Sequence, residues 1–147
     1  MSIYYSDSPT ATENIAAALA LQLKGGEIIA FKGDLGQGKT CFTRGLAKGL
    51  GFSGEVTSPT FALMNEYLGG RLNLYHFDMY RISTWEDLYS SGYFEYVEQG
   101  GVVAVEWSEN IESALNGKVI TVTIKATGET TREIIIEGAD GIENFSS

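Results

Sequence analysis

The chain has 147 residues, 44% of them hydrophobic and 12% aromatic, which suits one packed domain over 1–147 and is too short for two. Ten basic against nineteen acidic residues leave a formal charge of −9, which argues against a non-specific grip on nucleic acid or on an anionic membrane. The single cysteine, Cys41, cannot form an internal disulfide, the opening MSIYYSDSPT lacks the regions of a signal peptide, and no apolar run could cross a bilayer, so cytoplasm is the expected compartment.

In chain order, Thr10 and Glu13 stand at capping-box spacing behind Pro9. Ile15, Leu19 and Leu23 then recur at four-residue steps until Gly25-Gly26, which predicts a first helix. EIIAFKG (27–33) is a short apolar run ending in glycine and reads as a strand. TCFTRGLAKGLG (40–51) reads as a helix closed by Gly49 and Gly51. In VTSPTF (56–61), Pro59 blocks a helix and disfavours a central strand. A hairpin through Gly69-Gly70 leads into RLNLYHFD (71–78).

Ser83 with Glu86, or Thr84 with Asp87, can cap a helix running to about Tyr96. GVVAVEW (101–107) is the most apolar run and reads as a strand covered on both faces. KVITVTIKA and TREIIIEG alternate around Thr127-Gly128 as a terminal β-hairpin, and the tail from about Gly138 is expected to be ragged.

GDLGQGKT (33–40) fits the P-loop pattern G-x-x-x-x-G-K-[ST] and has a strand before it and a helix after it. Its glycines let backbone N–H groups converge on phosphate oxygens at a helix N-terminus. Lys39 would reach the β- and γ-phosphates, and Thr40 would place its hydroxyl on Mg²⁺, a hard cation that wants oxygen ligands. An acidic residue at a strand end is also required. Glu106 after VVAV and Asp78 after LNLYHF can both emerge at the carboxyl edge of a sheet, where ligands of α/β proteins bind.

GTP-reading N-K-x-D and D-x-x-G segments are absent. Four arginines and no spare segment for a lid leave a small-molecule kinase as an alternative rather than the first reading. A nucleotide-sensing interaction module, in which hydrolysis is incidental, is the other alternative.

Behind GDLGQGKT stand SPTF (58–61), HFDMYR (76–81) and VEW (105–107), in that order. With a threonine-containing start to the first helix and FTRGLAKGLG after the loop, this combination resembles the bacterial TsaE family, also called YjeE, from about Thr10 to Glu109. Gln37 stands where the family often has alanine, and Ser108 where it often has proline.

The resemblance implies an α/β, P-loop NTPase-like fold: a mostly parallel central sheet, helices on both sides, and antiparallel C-terminal strands. It implies a nucleotide site of Thr12, Asp34, Leu35, Gly36, Gln37, Gly38, Lys39, Thr40, Cys41 and Trp107, with Thr12 preferred to Thr10 on the base side. Thr40 and Glu106 would be the magnesium ligands, and Asp78 would orient or activate the attacking water. Lys39, Asp78 and Glu106 are then the catalytic set. The implied function is an ATPase of tRNA threonylcarbamoyladenosine formation that works with TsaD and TsaB, the transferase and its companion, without itself gripping nucleic acid.

Other residues carry plainer readings. His76 reads as a hydrogen-bonded strand residue, Cys41 as helix packing, and Tyr89, Tyr93, Phe94 and Tyr96 as packing of a helix on the sheet. Arg81 can lie near the phosphates or pair at the surface; Thr60 can sense a γ-phosphate or shape its turn.

Overall fold

The computed structural model describes residues 1–33, 37–54 and 64–141. Elements follow in the order β1 (Ser2–Ser6), α1 (Pro9–Ala20), β2 (Ile28–Gly33), α2 (Gln37–Gly49), β3 (Met64–Tyr67), β4 (Leu74–Asp78), α3 (Trp85–Ser90), α4 (Tyr93–Glu98), β5 (Val102–Glu106), a 3-10 segment (Ser108–Ala114), β6 (Val119–Ala126) and β7 (Arg132–Glu137). The described strands form one seven-stranded sheet in the order β1-β7-β6-β2-β5-β4-β3.

β6, β2, β5 and β4 run parallel, while β3, β7 and β1 pair antiparallel to their neighbours. The sheet is therefore mixed rather than mostly parallel, with three parallel and three antiparallel pairings. The terminal hairpin is antiparallel as its alternation predicts, but its first strand, β6, also joins β2 in the parallel core. β1, unread in the sequence, pairs with β7 and extends the antiparallel side.

Alternation along the strands divides the core into two layers. Val102 and Ala104 of β5 pack with Ile29 and Phe31 against Ile15 and Leu19 of α1 and Phe42 and Leu46 of α2. Val103 and Val105 face the other way, with Phe77, Leu88, Tyr93 and Ile111. Side chains of successive strand residues point to opposite faces, so a strand covered on both sides must be apolar throughout. The run VVAV meets that demand, and all four residues are buried.

Local chemistry sets the helix limits. α1 starts at Pro9, whose missing N–H costs nothing in the first turn, and its cap is Ser8, whose Oγ accepts from the Ala11 N–H at 3.0 Å. The cap is thus two residues ahead of Thr10, which stays exposed. Arg71 closes the other end, donating to the carbonyls of Leu23 and Ala20 at 2.8 and 2.9 Å, where a helix presents unpaired acceptors and partial negative charge. Thr84 caps α3 by accepting from the Asp87 N–H. The single helix expected to Tyr96 is divided at Gly92, which takes φ +84° and starts α4 on a new axis.

α1 and α2 touch through small residues. A Cβ on Gly45 would meet the Glu13 carbonyl oxygen and lie 2.7 Å from Ala16 Cβ; one on Gly49 would lie 2.6 Å from both the Ala17 oxygen and Ala20 Cβ. Gly45→Ala should therefore push α2 off α1 and lower stability by roughly 1–3 kcal/mol, the cost of overpacking a closed interface. Equilibrium urea unfolding measures it.

The turn into β2 is built on a buried carboxylate. Glu27, 1% exposed, accepts from the N–H groups of Lys24 and Gly25 at 2.8 Å each, with the Lys118 ammonium at 3.7 Å. Burial works against its charge, but these N–H donors and the Lys118 ammonium outweigh it and hold the carboxyl below the usual glutamate range. A depressed native pKa contributes stability that is complete above the unfolded-state value and is lost as pH falls through the native one. Glu27→Gln should cost about 1–3 kcal/mol at neutral pH and flatten the acid limb of a stability-versus-pH curve measured by urea unfolding.

Candidate functional site

β2 ends at Gly33 and α2 begins at Gln37, so the phosphate-loop sequence spans the connection between a central parallel strand and its following helix. Asp34, Leu35 and Gly36 lie outside the described residues, as do Pro59, Thr60 and the rest of 55–63. In the first turns of α2, Lys39 is buried at 3% exposure while Thr40 is exposed.

The two acids come together through strand register. β4 and β5 are parallel neighbours, and their last residues, Asp78 and Glu106, are direct Cα partners. By the two-residue period, Asp78 shares a face with Leu74, and Glu106 shares one with Val102 and Ala104; that is the face carrying α1 and α2. Both carboxylates therefore stand at the carboxyl edge of the sheet, Glu106 on the strand next to β2 and Asp78 one strand further out, on the face that carries α1 and α2.

Their environments differ. Asp78 is exposed, and its Oδ1 accepts from the Tyr80 N–H at 3.0 Å, closing a tight turn. The Asn110 amide pins that turn by donating to the carbonyls of Met79 and Tyr80 at 2.8 and 3.3 Å. Glu106 is half-buried, and its Oε2 lies 3.0 Å from His76 Nε2. That contact is short, but the ring nitrogen makes no well-formed hydrogen bond along it. Burial alone would raise the Glu106 pKa; His76 and the Lys39 ammonium reverse this and hold the carboxyl below the usual range.

His76 is thus more than a strand residue. Only the register of β4 on β5, which sequence spacing does not display, sets its ring against Glu106. It is buried, and its ring meets the edge of Phe31 at 6.3 Å.

The turn after Glu106 is strained. Trp107 has φ 59° and ψ 41°, the one non-glycine residue with positive φ among the described residues. Ser108 donates to the Phe31 carbonyl at 3.1 Å and ties the turn after β5 to β2. The Trp107 ring lies 4.9 Å from Tyr80, on the Asp78 side.

A cleft of about 110 Å³ opens on the opposite flank of α2. It brings together Thr12, Gly38 and Cys41 of the sequence-derived set and adds Ser8, Pro9, Glu129, Thr130 and Arg132. Thr10 and Trp107 do not line it. The Thr12 hydroxyl is buried and shares a 2.7 Å hydrogen bond with Ser6. Cys41 is buried in the helix packing, with the Arg44 guanidinium 3.3 Å from its sulfur. Arg132 is held at the rim by the carbonyls of Thr131 and Gly128 at 2.9 and 3.3 Å. Nothing local in the sequence marked Arg132, because β7 reaches α2 only through the sheet.

Among the described residues, no group of three or more His, Cys, Asp or Glu side chains could enclose a metal ion. A Thr hydroxyl and one ionised carboxylate are hard oxygen donors of the kind Mg²⁺ accepts when phosphate and water fill the rest of its shell.

The family model described as "Threonylcarbamoyl adenosine biosynthesis protein TsaE" matches residues 6–134. The chain belongs to the TsaE family. Curated family members include proteins of Bacillus subtilis (strain 168), 44% identical over 86% of this chain and 79% of the relative, and Treponema pallidum (strain Nichols), 42% identical over 78% and 84%. A Rickettsia typhi (strain ATCC VR-144 / Wilmington) relative is 39% identical over 95% of this chain and 96% of its own. Each of the three is called a tRNA threonylcarbamoyladenosine biosynthesis protein TsaE. The crystal structure of Bacillus subtilis YdiB matches with a TM-score of 0.75 and 36% identity, covering 95% of this chain and 86% of that one. The family places the chain in threonylcarbamoyladenosine biosynthesis. No helix among the described residues is long and apolar enough to cross a membrane.

Proposed function

We propose that this chain is a cytoplasmic, single-domain P-loop ATPase that binds ATP with Mg²⁺, hydrolyses it, and acts with TsaD and TsaB to keep threonylcarbamoyladenosine formation turning over. The observation that carries the reading is the pairing of Asp78 with Glu106 at the ends of adjacent parallel strands, the Glu106 strand lying next to the one that leads into GDLGQGKT.

In this reading, backbone N–H groups of 34–40 wrap the phosphates, and Lys39 meets the β- and γ-phosphates. Thr40 and Glu106 hold Mg²⁺, which supplies charge neutralisation on the phosphate oxygens. His76 and Lys39 keep Glu106 ionised for that task. Asp78, exposed and braced by the Tyr80 N–H, is free to accept a hydrogen bond from the attacking water and orient it. The base end of the nucleotide fits the cleft of Thr12, Gly38 and Cys41, which is large enough for a fragment and not for a whole nucleotide.

Cations are scarce around this site. Arg71 is committed to the end of α1 and Arg132 to the cleft rim, and Arg81 is exposed at the surface. Hydrolysis by the free chain should accordingly be slow, and partners should speed it by completing the charge around the phosphates. Calorimetric titration with ATP tests the first step. Binding is expected with Mg²⁺ and should weaken by about tenfold or more in chelator, since the metal offsets phosphate charge. Equal affinity in chelator would remove the metal from the account, and no heat in either would remove ATP.

A further inference from the structure

The aromatic residues of 85–96 do not all pack inward. Tyr93 and Tyr96 do, against Phe77 at 5.8 Å each. Trp85 and Tyr89, one turn apart on α3, point out and are 53% and 61% exposed. Phe94 of α4 completes the group, lying nearly parallel to Trp85 (10°, 6.4 Å) and 4.9 Å from Tyr89. Leu88 and Tyr93 beneath are buried, at 3% and 1% exposure, so the three rings sit on a shelf fixed to the core. Rigid aromatic surface of this kind loses little entropy on being covered.

Its rim has one sign. Glu86, Glu95 and Glu98 are exposed around the rings, and Arg81 is the only basic residue in 81–99. A second copy of the chain would set acid on acid across a two-fold contact, and RNA phosphates would be repelled. A protein surface with an apolar pocket edged by lysine and arginine complements the shelf.

The shelf also continues into the site. Residues 79–84 run directly from Asp78 to the start of α3, and within them the Tyr80 ring lies 4.9 Å from that of Trp107, the residue after Glu106. An occupant of α3 therefore bears on the turn that holds Asp78.

We infer that the Trp85–Tyr89–Phe94 shelf is the surface on which the transferase pair docks, through a basic-edged apolar pocket of that pair. This rests on the partnership proposed above. The test is titration of the ATP-loaded chain with purified TsaD and TsaB, comparing wild type with Trp85→Ala/Tyr89→Ala and with the surface charge reversal Glu86→Lys/Glu95→Lys. Both variants should keep wild-type ATP affinity and bind the pair about tenfold or more weakly, as loss of central aromatic anchors or of rim complementarity does. Added salt should weaken wild-type binding. Wild-type affinity in both variants would overturn the docking surface and leave the partnership standing. Tighter binding by the charge reversal would overturn it as well, as would self-association of the wild type that disappears in Trp85→Ala/Tyr89→Ala. No binding by the wild type would overturn the partnership together with the surface.

Discussion

Lys39→Ala should raise the dissociation constant for ATP by about a hundredfold or more, the loss expected when a phosphate loses a charge-assisted bond from a dry site. Lys39 is 3% exposed, so its ammonium acts with little screening. The helix should survive, because the bond from Thr43 Oγ1 goes to the Lys39 backbone carbonyl, which alanine retains. Calorimetry or fluorescent-nucleotide titration reads the loss directly. A change of less than about threefold would mean that Lys39 does not meet phosphate.

Asp78 should behave in the opposite way. Asp78→Asn keeps an oxygen for the Tyr80 N–H and so keeps the turn, while removing the charge that orients water. The maximal rate should fall by about 100-fold to 10,000-fold, with ATP affinity within about threefold of wild type, as expected for an acid–base group acting on the reacting water. Asp78→Ala should fall at least as far. Loss of ATP affinity as large as that of Lys39→Ala would make Asp78 a binding residue instead. Single-turnover phosphate release beside equilibrium binding separates the two.

Where local rules decide a feature, the sequence carried it. The apolar run VVAV had to be a strand covered on both faces, and both hairpins follow from alternation around glycine turns. Residues whose partners lie far along the chain were not legible in this way. β1 is a strand because β7 offers it an edge, and SIYYS by itself is too short to say so. Arg71 looks like any surface arginine until the end of α1 is placed under it. Tyr89 and Tyr93 are four residues apart, yet one is exposed and one buried, because Gly92 breaks the helix and resets the facing.

The site divides along the same line. The loop pattern and the two acids at strand ends were visible as a spacing, and their adjacency follows once β4 pairs with β5. His76 against Glu106 and Arg132 at the cleft of Gly38 both depend on neighbours across the sheet. The Ser6–Thr12 hydroxyl pair similarly depends on β1 being in position.

Phosphate release from ATP by the purified chain with Mg²⁺, alone and then with TsaD and TsaB, tests the central claim most directly. The expected result is slow release by the chain alone and a rise of at least about tenfold with the pair, since no arginine among the described residues is placed to join Lys39 on the phosphates and a partner can supply that charge. Rapid turnover by the isolated chain, or slow release that the pair leaves unchanged, would contradict it.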